Sequence, residues 1–194
     1  KNKGGLKVGI FADDTALYAS RPSYNQTAEI LQGGLDDIHA WTDKDRTRIN
    51  ASKSENVVYT NKNYVHVPLL FSRGPIPHTF RARYLGLIMD AKLRWKDHIL
   101  TKKKQIELKL KKMYWLIGRR SKLKLKNKVL LYKSMIRPIW AYGSQMWASA
   151  AKSNVKIIQI VQNKILRQIV NARWYEKNTD IHAELGVEPI SEYI

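Results

Sequence analysis

Apolar and polar positions change rhythm near residue 95 of the 194-residue chain. Before it, short apolar runs alternate with turn-forming residues. Lys7 to Ala12 and Thr15 to Ala19 read as two strands joined by Asp13-Asp14, a hairpin pattern. Pro22, between Ser20 and Ser23, interrupts it. A helix is then expected to about Trp41, with Leu31, Leu35 and Ile38 on one face. Gly33-Gly34 lies inside it, at roughly 1 kcal/mol per glycine relative to alanine. Glu55 to Thr60 reads as a strand. Residues 61–80 read as irregular, with Pro68, Pro75 and Pro77, and Ala82 to Met89 reads as a further strand leaving by a turn at Asp90 and Lys92.

After Trp95 the period becomes helical. Ile99, Ile106, Leu110, Met113 and Ile117 recur at three, four and seven residues. Val129, Lys133 and Ile136 continue a second helix, halted near Pro138. Ile158, Val161, Ile165 and Ile169 mark a third, and Asn178 caps a short helix ended by Gly186. The pattern therefore predicts an α+β fold, an α/β part over 1–95 followed by an all-α part over 96–194.

Charge sharpens that division. Residues 96–140 hold fifteen Lys/Arg against two Asp/Glu, a net of +13 out of +19 for the whole chain. Residues 1–60 are balanced, eight against eight. A block of this kind attracts a polyanion and releases counterions on binding, which favours nucleic acid over a merely solvated helix face. Cysteine is absent, which excludes disulfides and zinc ribbons. No apolar run is long enough to span a membrane, and no signal peptide is visible. The five histidines show no paired metal spacing. The first residue is Lys1 rather than methionine, so a longer parent is expected.

Asp13-Asp14 is the first candidate for chemistry. Adjacent carboxylates at a hairpin can serve as turn formers or as hard oxygen ligands for a cation. Its neighbours favour the second use. Phe11-Ala12-Asp13-Asp14-Thr15, flanked by apolar strands, resembles the aromatic-Ala-Asp-Asp box of reverse transcriptases. Arg48-Ile49-Asn50-Ala51-Ser52-Lys53-Ser54-Glu55 is similar to the next motif of non-LTR retrotransposon enzymes, Leu-Asn-Pro-Ser-Lys-Thr-Glu. Arg83-Tyr84-Leu85-Gly86 with Asp90 resembles the following Tyr-Leu-Gly motif. Downstream, Leu131-Tyr132-Lys133, Ile136-Arg137-Pro138, Tyr142-Gly143, Trp147, Gln162-Asn163-Lys164 and Trp174-Tyr175 keep the family order. The resemblance is closest to Jockey-like elements and covers nearly the whole chain.

That resemblance implies the last palm motifs, an antiparallel hairpin sheet plus helix, over 1–95, and a helical thumb with its C-terminal extension over 96–194. It implies that Asp13 and Asp14 hold two Mg²⁺, or Mn²⁺ in substitution, in two-metal nucleotidyl transfer. Lys53 would protonate the leaving pyrophosphate. Phe11 would lie near the primer end, and Tyr84, Leu85 and Gly86 would shape the primer grip, Gly86 by letting backbone approach closely. Lys102, Lys103, Lys104, Lys109, Lys111, Lys112, Arg119, Arg120, Lys122, Lys124, Lys126 and Lys128 would hold an RNA–DNA duplex through its phosphates. Tyr114, Trp115 and Tyr132 interleave with them, either stacking on bases or packing in the core, and Trp140 and Trp147 read as core. The implied partners are an RNA template, a DNA primer and deoxynucleoside triphosphates, with no membrane. The implied setting is intracellular, nucleus and cytoplasm, within a ribonucleoprotein.

Two departures stand out. Ala51 occupies the usual proline position, which should loosen the approach to Lys53. The family's earlier motifs, with the other metal-binding aspartate, do not occur in the chain, so the chain alone is expected not to polymerise. The alternatives are a non-catalytic nucleic-acid-binding remnant or co-opted module, and a structural RNA-binding protein of ribosomal type, which explains the charge but not the motif order.

Overall fold

The computed structural model describes residues 5–46, 49, 51–72 and 74–194. The chain divides into two compact units, Lys1–Ala82 and Arg83–Ile194.

The first unit opens on an antiparallel hairpin, β1 (Lys7–Phe11) and β2 (Asp14–Tyr18). Helix α1 (Tyr24–Lys44) follows and lays Leu31, Leu35 and Ile38 on a small core of Ala28, Leu69, Phe71 and Ile76. The tolerance of Gly34 has a steric reason: a Cβ there would lie 2.6 Å from Leu6 Cδ2. The space around Gly33 is open, and nothing in the structure explains that glycine. Strands β3 (Leu70–Phe71) and β4 (Gly74–Pro75) form a minimal ladder. Gln32 docks it to α1 like a strand edge. Its Nε2 donates to the Leu70 carbonyl at 2.9 Å, and its Oε1 accepts from the Leu70 N–H at 2.8 Å.

The strand expected over Glu55 to Thr60 does not form. Asn56 alone makes a bridge, to His78, because its N–H and carbonyl are engaged by Pro77 and Thr79 of the proline-rich loop. The expected strand 82–89 is also different. It is two strands, β5 (Arg81–Tyr84) and β6 (Leu87–Asp90), paired as a hairpin.

In the second unit the Asp90 carboxylate organises the loop into α2 (Lys96–Lys112). It accepts from the N–H groups of Lys92 and Arg94 at 3.1 Å and of Trp95 at 2.8 Å. The lysines of α2 leave only a narrow apolar stripe. Ile99, Ile106, Met113 and Ile117 are buried as their spacing predicts. Helices α3 (Tyr114–Ile117) and α4 (Leu125–Leu131) follow.

The second helix does not stop at Pro138. Its last turn widens into a π-turn, Tyr132–Ile136, and continues into α5 (Arg137–Ala141). A π-turn next to proline accommodates the missing N–H without ending the rod. Helix α6 (Ser144–Trp147) leads to the long α7 (Lys152–Val170), which buries Ile158, Val161, Ile165 and Ile169. Helices α8 (Asn178–Leu185) and α9 (Ile190–Tyr193) close the core. Asn178 is the first residue of α8 rather than its cap, which is Lys177, while Gly186 ends it at φ 56°.

A buried polar network pins this end. Gln162 donates to the Tyr132 hydroxyl at 3.0 Å and to the Glu188 carbonyl at 2.9 Å. Leu87 and Met89 pack on the helical core. Among the described residues no helix is long and apolar enough to cross a membrane.

Candidate functional site

The β1–β2 ladder closes on the pair Phe11–Asp14. The two-residue turn is therefore Ala12-Asp13, one position earlier than the pattern suggested. Ala12 takes the left-handed conformation, φ 51°, and this lets Asp14 start β2. Cross-strand partners share a face of the ladder, so Phe11 and Asp14 stand side by side while Asp13 projects from the tip. Phe11, Asp13 and Asp14 are all exposed, Phe11 at 63%. Two carboxylates at a solvated tip are hard donors suited to Mg²⁺. Among the described residues no group of three or more His, Cys, Asp or Glu side chains gathers to hold a metal. The pair can thus furnish part of a coordination shell.

Lys53 is exposed on a 3₁₀ turn, Ala51–Lys53. Ala51, at the position of the family's proline, opens this turn. Arg48 and Asn50 of the same motif lie outside the described residues.

Tyr84, Leu85 and Gly86 form a hairpin tip. Leu85 and Gly86 have φ 46° and 74°, and positive φ at both central positions marks a type I′ turn. The expected close approach at Gly86 is made by a side chain: a Cβ there would lie 3.4 Å from Tyr142 Cε1. The Tyr142 hydroxyl donates to the Leu85 carbonyl at 2.6 Å. Above the same ring sits Lys102, its Nζ 5.0 Å from the centroid, within cation–π reach. Burial, with the nearby Arg83 charge, lowers the Lys102 pKa from its ordinary value. The turn, Tyr142 and the first basic residue of the α2 run thus form one stack. Tyr142 appeared in the sequence only as a family residue without a role, since its partner lies 57 positions away.

Lys104, Lys111 and Lys112 of α2 are exposed, and Lys102, Lys103 and Lys109 are half-buried. Lys103 is loosely paired with Glu107 at 3.9 Å. Arg119, Arg120, Lys122, Lys124 and Lys126 are exposed on the segment that follows. Lys128 departs from expectation. It is buried and its Nζ donates to the Gly118 carbonyl at 3.3 Å, so it braces the loop before α4 instead of facing a phosphate. Trp140, Trp147 and Tyr132 are core. Tyr114 and Trp115 are exposed, Trp115 at 74%.

The chain is 34% identical, over 98% of its length, to the probable RNA-directed DNA polymerase from transposon X-element of Drosophila melanogaster. It is 35% identical, over 95% of its length, to the RNA-directed DNA polymerase from mobile element jockey of the same species. It is 32% identical, over 99% of its length, to the jockey polymerase of Drosophila funebris. The chain is a homologue of one portion of these polymerases. It spans about a fifth of the length of each, 20–21%. No family model and no solved structure matches it.

Proposed function

We propose that the chain supplies the hairpin carboxylates and the basic duplex grip of an RNA-directed DNA polymerase from a non-LTR retrotransposon. The alignment of nearly the whole chain with polymerases of that description carries this reading. The hairpin tip, which presents two exposed carboxylates beside an exposed Phe11, supports it. Residues 1–95 correspond to the end of the palm and residues 96–194 to the thumb and its extension.

In this account Asp13 and Asp14 are ligands to Mg²⁺, and the remaining ligands come from another portion of the polymerase. Mg²⁺ held there would supply activation of the primer hydroxyl and neutralisation of charge on the phosphates. Lys53 donates a proton to the departing pyrophosphate. Lys104, Lys111, Lys112, Arg119, Arg120, Lys122, Lys124 and Lys126 contact the backbone of the RNA–DNA duplex. The Tyr84–Gly86 turn, braced by Tyr142, guides the primer strand. The exposed Val8 and Ile10 of β1 offer a surface for the rest of the sheet.

The test is primer extension on an RNA template by a polypeptide extended to the length of the relatives. Asp13→Asn abolishes extension while template–primer binding persists. Extension that survives the substitution would refute the metal role.

A further inference from the structure

The second unit carries an aromatic and basic surface that adjoins the duplex grip at Arg119 and extends beyond it. Helix α7 ends at Asn171 in the left-handed conformation, φ 55°, and the chain returns through residues 172–177. This loop is tied down. The Arg167 guanidinium donates to the Glu176 carbonyl at 2.7 Å, to Asn178 Oδ1 at 3.3 Å and to the Arg173 carbonyl. The Arg173 N–H donates to the Glu176 carboxylate at 3.0 Å, which occupies the loop's acid.

On this braced loop Trp174 is 90% exposed. Its ring touches another residue edge-on, Tyr175, at a centroid distance of 5.7 Å. A large aromatic held out in water on a hydrogen-bonded loop presents an open ring face on which a base can stack. Around it the side chains are cationic. Two adjoining open depressions, of about 400 and 690 Å³, share Arg119 and Arg167. The first adds Tyr114 and Lys164, and the second adds Arg173 and Trp174. No carboxylate lines either one.

We infer that this surface binds single-stranded RNA, with an unpaired base stacked on Trp174 and phosphates held by Lys164 and Arg173. A ring face beside guanidinium groups suits unpaired bases on a charged backbone. A duplex keeps its bases stacked inside and has no face to offer Trp174. The choice of RNA rests on the proposed function, because the unpaired strand of an RNA-directed polymerase is its template. The surface would then hold template where it adjoins the duplex grip.

The test is fluorescence anisotropy of the full 194-residue chain with an unstructured single-stranded RNA of roughly ten nucleotides. The same sequence as single-stranded DNA and as an RNA–DNA duplex provides the comparison. Trp174→Ala weakens RNA single-strand binding about ten-fold or more and leaves duplex binding unchanged. Trp174→Tyr recovers most of the loss. Equal loss on single strand and duplex, or no loss on either, overturns the proposal and leaves an acidic protein partner as the occupant. Trp174-dependent binding tighter for DNA than for RNA overturns the RNA assignment. Failure of the polymerase reading shows separately, as extension that does not depend on Asp13.

Discussion

Replacing Gly143 by alanine tests how the Tyr84–Gly86 turn is held. Gly143 has φ 65° and precedes α6. A Cβ there would lie 2.5 Å from Leu87 Cδ2, far inside van der Waals separation. Two costs follow. The left-handed backbone costs an alanine about 1–2 kcal/mol. Moving Leu87, which packs on the helical core, adds about 1–3 kcal/mol of overpacking. Alanine also restricts the unfolded chain, which returns roughly 0.4–1 kcal/mol. The net loss is about 1–5 kcal/mol by these terms. Urea unfolding followed by near-ultraviolet circular dichroism, which senses the buried Trp140 and Trp147, reports on this unit. The midpoint falls while the slope stays constant. Repeating Gly143→Ala in a Leu87→Ala background removes the clash and leaves the backbone cost, so the two substitutions couple by about 1–3 kcal/mol. A loss below about 1 kcal/mol, or no coupling, refutes the close approach of Gly143 to the hairpin.

Other parts of the structure carry their own expectations. Gln162→Leu removes the amide that donates to the Tyr132 hydroxyl and the Glu188 carbonyl, and the loss at the buried Tyr132 hydroxyl, about 1–3 kcal/mol, appears as a lower thermal midpoint. His98 is buried, accepts the Ile88 N–H at 3.2 Å, and burial followed by the Lys102 charge pulls its pKa down to about 4. A depressed histidine pKa means that the unfolded chain binds the proton first. The His98 contribution is therefore complete above about pH 6.5, and stability falls as pH drops from there towards 4, by at most ~1.4 kcal/mol per pH unit. His98→Asn, which keeps an acceptor for Ile88, flattens that slope in equilibrium unfolding across the window. Lys104, Lys111 and Lys112 replaced by alanine reduce the salt dependence of duplex binding by about 0.9 in the log–log slope for each phosphate no longer neutralised. Lys128→Ala lowers stability instead and leaves that slope unchanged, as titrations at several salt concentrations will show.

What the sequence revealed follows from the range of each interaction. The stripe of Ile99, Ile106 and Met113 and the face of α7 were legible because a helix face repeats locally. The hairpin around Asp13 was legible as a hairpin, but its turn moved by one residue, since register depends on Ala12 taking φ 51°, a state its side chain does not advertise. The Tyr84-Leu85-Gly86 turn hid inside an apolar run because Leu85 bends it without a second glycine, supported by a tyrosine far along the chain. Pro138 signalled a helix end, and the π-turn before it absorbed the signal. The burial of Lys128 and the exposure of Trp174 both oppose residue-type expectation, and both follow from loop hydrogen bonds that residue type does not encode.

The account turns on the carboxylate at the tip of the first hairpin. The most direct measurement is Mg²⁺-dependent nucleotide incorporation on a primed RNA template by the extended polypeptide, comparing Asp13 with Asp13→Asn at matched template–primer binding. The account predicts incorporation with Asp13 and none with asparagine, at unchanged affinity for the primed template. Incorporation that continues with asparagine at this position would contradict it.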